Sequence, residues 1–478
     1  MLTDQLTEII GSLGFLTFEL TVALGLLILL LVGLMVKNEL AIKILYVVIL
    51  VMAALHLPHL HQAEALFGET MLVDEASNIL KLLMVIASVW IVFFPTSERQ
   101  PVEFYILLLA MVLGSALMMA ANNLLVIYLV VELASFSAYL LTNFNFQKRS
   151  FEAGVKYLIF GGVTSAFALY GASLMYGFTG TLDLNQMDLT VIGNPILLKA
   201  GIFLFCGSLF FKISAVPFHI WTPSAYQEAP TGSVMIMSVV PKLGGLFLLH
   251  RVLNVAEFRE EYWLYSAVAV FGIATITIGT LGALRQTNIK RMVAYGAIAH
   301  SGFLMAPLLI PFDGGASAFI WYAVGYAVIN IALFYLISIY ESLGATEIQD
   351  YAGLGKISPF MGALVLIVMI ALVGLPPTVG FTIKFYLFVS IWEWYQSVQD
   401  PYLLTYLIVA VASVVFSLFF YLKIPYQMFL KDSDESIIGN YSLVQKLIAT
   451  IFTTILLWLF LSPKILNNIA NNFIQTDW

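Results

Sequence analysis

Of 478 residues, 61% are hydrophobic and only 10% charged, and the mean hydropathy is +0.96. A soluble domain is about 45–50% apolar and about 25% charged, so an ordinary cytosolic enzyme, a nucleic-acid binder and a disordered chain are excluded together. The net charge of −7 leaves no basic patch for a polyanion, and the single cysteine, Cys206, excludes an internal disulfide and any cysteine-based zinc or iron–sulfur cluster. The composition is that of a polytopic membrane protein.

A helix needs about 20 mostly apolar residues to cross a bilayer. Such runs predict fourteen spans, at 16–36, 41–57, 77–95, 103–121, 124–142, 154–177, 196–220, 231–252, 263–284, 291–310, 316–341, 359–394, 403–430 and 444–462. The runs are too long and too continuous for β-barrel strands, so the expected class is all-α. Asp4 and Glu8, with no basic residue ahead of the first span, argue against a cleavable signal peptide. Gly353-Leu354-Gly355-Lys356 lacks the spacing and the Ser/Thr of a phosphate loop. The short loops leave no room for a nucleotide site, and no cofactor is expected in this chain.

Basic residues set the predicted orientation. Odd-numbered loops carry twelve (Lys37, Lys43, Arg99, Lys148, Arg149, Arg285, Lys290, Arg291, Lys356, Lys423, Lys431 and Lys446), and the even-numbered loops with the C-terminus carry five (Lys81, Lys199, Arg251, Arg259 and Lys464). The odd loops are therefore expected in the cytoplasm and both termini outside. Four of the 21 basic residues remain, Lys156, Lys212, Lys242 and Lys384, all inside spans. A lysine at a helix centre costs roughly 2.5–3.5 kcal/mol on insertion scales, so intramembrane lysines read as functional. Lys156, two residues into its span, is placed as well for snorkelling to the headgroups. Glu132, in the middle of the fifth span, is the matching acid. Burial and a neighbouring carboxylate act oppositely on a lysine, so a changing Glu–Lys distance would move it between binding and releasing a proton.

Prolines mark expected helix breaks. Pro217 cannot donate to the carbonyl of Ile213, Pro241 frees that of Met237 beside Lys242, and Pro376 and Pro377 free those of Leu372 and Val373, ahead of Lys384. Broken membrane helices occur where protein or water covers the loose backbone, and in transporters they mark ion sites. Glu132 precedes Lys212 by 80 residues and His300 precedes Lys384 by 84, which suggests two five-helix repeats, each with a broken helix. Five spans is an odd number, so the second copy would be inverted. The expected organisation is a three-helix segment over 1–102, repeats over 103–252 and 253–430, and a C-terminal helix over 431–478. His56, His59 and His61 could in principle hold a metal, although a loop cluster around a proline is more commonly solvated. Glu19, three residues into the first span, is expected at the interface.

At these residues the chain resembles the antiporter-like subunits of proton-pumping NADH:quinone oxidoreductase, complex I, and among them the subunit N family, the mitochondrial subunit 2 counterpart. The segments that carry the resemblance run from Lys212 to Pro223, from Tyr226 to Thr231, from Val240 to Lys242, from Gln286 to Gly302 and from Gly374 to Phe385. A lysine at 384, the string from Glu132 to Tyr139, and a chain ending near the fourteenth span favour subunit N over its paralogues. The resemblance implies that Glu132 sets the proton affinity of Lys212, that Lys242 is the central lysine with His300 as a waystation, and that Lys384 lies on the exit side. Lys156 and His219 are second-tier candidates. Ile383 departs from the glycine common before that last lysine. The resemblance also implies FMN, iron–sulfur clusters and quinone in sister subunits, subunits M and K as neighbours, and a bacterial inner membrane. Alternatives are a subunit of a multi-subunit Na⁺/H⁺ antiporter, a hydrogenase- or ferredoxin-linked ion pump, or an inert structural subunit.

Overall fold

The computed structural model describes every residue except 1, 59, 61–62, 96–99, 188–195, 256–261, 433–440 and 475–478, and the side chains of 2–8, 312–313 and 474 are likewise left undescribed. Leu2–Phe15 (α1) precedes Thr17–Met35 (α2) and Glu39–Leu55 (α3). A small antiparallel hairpin, Glu64–Leu66 (β1) with Met71–Val73 (β2), interrupts the all-helical pattern. Its turn needs positive φ at Phe67, Gly68 and Glu69, a local feature that hydropathy does not register. Glu75–Val89 (α4), Val102–Ala120 (α5), Leu124–Thr142 (α6) and the long Lys148–Thr179 (α7) follow. Ile196–Lys212 (α8) ends at its lysine and a turn leads to the short Thr222–Glu228 (α9). Next come Thr231–Val255 (α10), Tyr262–Leu284 (α11), Ile289–Met305 (α12), Phe312–Ser342 (α13) and the single turn Leu354–Ile357 (α14). Pro359–Val373 (α15) and Val379–Val398 (α16) are two halves of one interrupted run. Pro401–Tyr421 (α17), Lys423–Leu430 (α18), Leu443–Leu461 (α19) and Lys464–Ile474 (α20) complete the described helices.

Eleven described helices are long and apolar enough to cross a membrane. The other three predicted runs fall on α3, α8 and the α15–α16 pair, which are shorter or interrupted. Burial sorts the bundle. In α10, α12 and α13, 94% of the apolar window is covered by other parts of the chain, against 28% in α2 and 33% in α7. Lipid can cover the outer helices. The inner three are shielded by protein along nearly their whole length, so a polar group on any of their faces is held away from hydrocarbon.

Five expectations are corrected by this packing. Glu19 is buried rather than interfacial and pairs with Lys81 at 2.8 Å. Lys81 itself lies inside α4, not in a loop. Arg251 and Lys290, also counted as loop residues, are buried in α10 and α12 and pair with Asp74 and with Glu341, the latter at 2.7 Å. Finally, α10 runs through Pro241 without a break. A proline removes one hydrogen bond, and a helix enclosed along almost its whole length retains enough packing to stay helical.

Candidate functional site

The site begins where α8 stops. Ser214 takes a positive φ, Ala215 donates its amide to the carbonyl of Phe210, and the helix ends at the buried Lys212. Gly245 on α10 lets the two elements meet: a Cβ there would lie 3.3 Å from Lys212 Cγ and 3.1 Å from Ile213 Cγ2. Lys212 Nζ donates to Ser135 Oγ at 3.1 Å, and Ser135 donates to the carbonyl of Val131 at 2.6 Å. Glu132, one turn back on α6, accepts a short hydrogen bond from Ser165 of α7. Among the described residues Glu132 and Lys212 form no direct ion pair. A small pocket of about 10 Å³ adjoins Glu132 and is lined also by Ser135, Tyr139, Ser165 and Ser208.

Lys242, next to Pro241 in the enclosed α10, donates to the carbonyl of Ala297 at 2.8 Å and to Ser301 Oγ at 2.9 Å, both on α12. Its Nζ stands 6.0 Å from the ring centroid of Tyr326. That ring lies 5.3 Å from His300, whose Nδ1 is 2.7 Å from the hydroxyl of Tyr322. Beyond His300, the Phe303 ring is 5.2 Å from Lys384 Nζ. Lys384 donates to the carbonyls of Leu372 and Val373 at 2.8 and 2.9 Å. Those are the two carbonyls that Pro376 and Pro377 leave without partners, so the break expected from the prolines is present and the lysine that follows it supplies the missing donors. Gly374, at φ +89°, turns the chain between the halves.

The expected residues thus fall in two groups of neighbours, Glu132 with Lys212 and Lys242 with His300 and Lys384, and α10, which carries Lys242, packs on Lys212 at Gly245. Lys156 does not join them, since it lies on the exposed face of α7. His219 is past the break and half-buried, with Nδ1 unpartnered. His56 contacts Thr21 Oγ1 at 3.0 Å, whereas His59 and His61 lie outside the described residues. No cluster of potential metal ligands occurs among the described residues. The connecting side chains Ser135, Ser165, Ser301, Tyr322 and Tyr326 were not predicted. The available signal was position, because Ser135 and Ser301 lie three residues and one residue after Glu132 and His300.

Residues 121–417, which hold all five, match the transmembrane family described as NADH:quinone oxidoreductase/Mrp antiporter. NADH-quinone oxidoreductase subunit N of Pelagibacter ubique is 31% identical over 472 residues, covering 96% of this chain and 98% of the relative. The chain belongs to the subunit N family. A chain of respiratory complex I from Thermus thermophilus superposes with a TM-score of 0.77 at 26% identity, covering 94% of this chain and 98% of that one. A chain of the Mrp complex from Dietzia has a TM-score of 0.83 at 19% identity, with 97% of each chain covered, and shares the fold.

Proposed function

We propose that this chain is the subunit N component of a bacterial NADH:quinone oxidoreductase and moves protons across the membrane through Glu132, Lys212, Lys242, His300 and Lys384. The observation that carries the reading is how its buried cations are partnered. Lys81, Arg251 and Lys290 each hold a carboxylate. Lys212, Lys242 and Lys384 hold hydroxyl and carbonyl oxygens, with no carboxylate in ion-pair contact among the described residues. A carboxylate fixes its cation in place, because losing the proton would strand a buried negative charge. A lysine on neutral acceptors can release its proton and leave nothing charged behind.

In this reading the chain carries no redox centre. NADH oxidation, FMN, iron–sulfur clusters and quinone belong to partner subunits, with subunits M and K as neighbours. Both termini face the periplasm, the side that the lysine and arginine distribution favours. The Mrp likeness supports the fold alone, while the identity over nearly the full length of a subunit N relative favours complex I over an Na⁺/H⁺ antiporter.

Glu132→Ala, Lys212→Ala and Lys242→Ala, each introduced into the complete complex, are expected to leave assembly intact and to lower both proton pumping and coupled quinone reduction in membrane vesicles. Wild-type pumping in all three would sink the mechanism.

A further inference from the structure

Pro217 has no amide hydrogen, so the carbonyl of Ile213, four residues earlier, lacks the partner an intact helix would give it. The structure places a substitute there from another helix: Ser301 Oγ of α12 lies 2.6 Å from that carbonyl. The same oxygen accepts from Lys242 Nζ at 2.9 Å and lies 3.0 Å from the carbonyl of Ala297. Ser301 is fully buried. One hydroxyl therefore touches both the turn that follows Lys212 and the ammonium of Lys242.

We infer that Ser301 is a positioning residue that ties the protonation of Lys242 to the broken helix beside Lys212. The inference rests on the proton-translocation reading and adds a link between its first and central lysines. A hydroxyl has one hydrogen and two lone pairs. While Lys242 is an ammonium it has only hydrogens to offer. Two of them point at Ala297 and Ser301, so Ser301 must accept there and its own hydrogen goes to a carbonyl, that of Ile213 at 2.6 Å being nearer than that of Ala297 at 3.0 Å. Once Lys242 has given up its proton, the amine carries a lone pair that can accept. The Ser301 hydrogen then has a further acceptor in the amine beside the two carbonyls, and the hold on the Ile213 carbonyl weakens. Ile213 is the residue after Lys212, so the turn that positions Lys212 against Ser135 loosens when Lys242 is neutral and tightens when it is charged. Information passes from one lysine to the other by the rotation of a single hydroxyl, without a carboxylate.

The test uses the complete complex in inverted membrane vesicles driven by NADH, with a pH-sensitive dye and quinone reduction as readouts. Ser301→Ala and Ser301→Cys bracket the serine in size while removing the strong donor. Both are expected to assemble at the wild-type level and to run the coupled reaction about tenfold more slowly, the order of effect of one hydrogen bond to a buried charge. Ser301→Thr keeps the hydroxyl and is expected to retain more than half the rate. A packing role predicts the reverse, with alanine and cysteine near the wild-type rate and threonine impaired, and that pattern would overturn the inference. A wild-type rate in Ser301→Ala overturns it whatever threonine does. Lys242→Ala is run alongside. If it pumps normally the underlying reading fails at Lys242 and the link with it, and if it is inactive while Ser301→Ala is normal, only the link proposed here fails.

Discussion

In the proposed mechanism Lys384 has a structural use beside its proton-carrying one. Its Nζ replaces the two amide donors that Pro376 and Pro377 withdrew from Leu372 and Val373, so it closes the helix break as well as carrying the proposed proton site. Removing it leaves two buried carbonyls unpaired, at about 1–3 kcal/mol each. Lys384→Met is therefore expected to lower the Tm of the purified complex as well as its pumping. Glu132 differs, since its described partner is the hydroxyl of Ser165, which an amide oxygen can also accept. Glu132→Gln should lose pumping at an unchanged Tm, and differential scanning of the two variants side by side separates the cases. The carbonyls of Leu372 and Val373 could be named from the prolines alone, because a missing donor is legible in sequence. Ser135 and Ser301 could not, because a hydroxyl on an apolar helix alters neither charge nor periodicity. Only the neighbouring helix gives it a role.

At the scale of elements, counting apolar runs found the eleven described helices long and apolar enough to cross a membrane and misjudged where buried charges lie within them. Glu19 is the third residue of α2 and Lys81 the seventh of α4, and an apolar run alone does not distinguish a headgroup position from a buried one. Their faces point toward each other, and the pair is 2.8 Å apart with both side chains almost completely buried. Glu19 Oε2 lacks a hydrogen-bond partner, so the pair is not fully satisfied. Breaking such a pair from one side strands a charge and costs about 3–5 kcal/mol, whereas replacing both partners with apolar side chains is often neutral. Glu19→Ala is expected to reduce assembled complex sharply, and Glu19→Leu with Lys81→Met to restore most of it, as read by quantitative blotting of native gels. If the double variant is as poorly assembled as the single one, the pair has a use beyond holding the N-terminal helices to the bundle. Pro241 makes the complementary point: a local rule predicted a break, and enclosure of α10 by the rest of the bundle overrode it.

Across the whole molecule, two connections repeat the same design. Asn123 caps α6 and reaches Asp183 beyond α7 at 2.6 Å, while the amide of Leu124 donates to the carbonyl of Leu182 at 2.9 Å. Asn288 caps α12 and reaches Glu347 beyond α13 at 3.3 Å, while the amide of Ile289 donates to the carbonyl of Thr346 at 3.1 Å. The surrounding packing matches: α5 lies against α6 and α10, and α11 lies against α12 and α17. We infer from this the five-helix repeat expected from the sequence, with a different register. Counted from the caps, His300 corresponds to Ser135 and not to Glu132, since each stands twelve residues after its asparagine. The correspondence makes chemical sense, because Ser135 is the acceptor of Lys212, and His300 lies between Lys242 and Lys384 along the ring contacts of Tyr326 and Phe303. If the two positions serve equivalent roles, Ser135→Ala and His300→Ala should give the same phenotype, normal assembly with coupled turnover lowered several-fold. The rates are compared in vesicles at matched complex content. A silent Ser135→Ala beside an impaired His300→Ala would restrict the equivalence to the backbone. Glu132 stands nine residues after Asn123, and the position nine residues after Asn288 is Ala297, so the acid belongs to the first half alone.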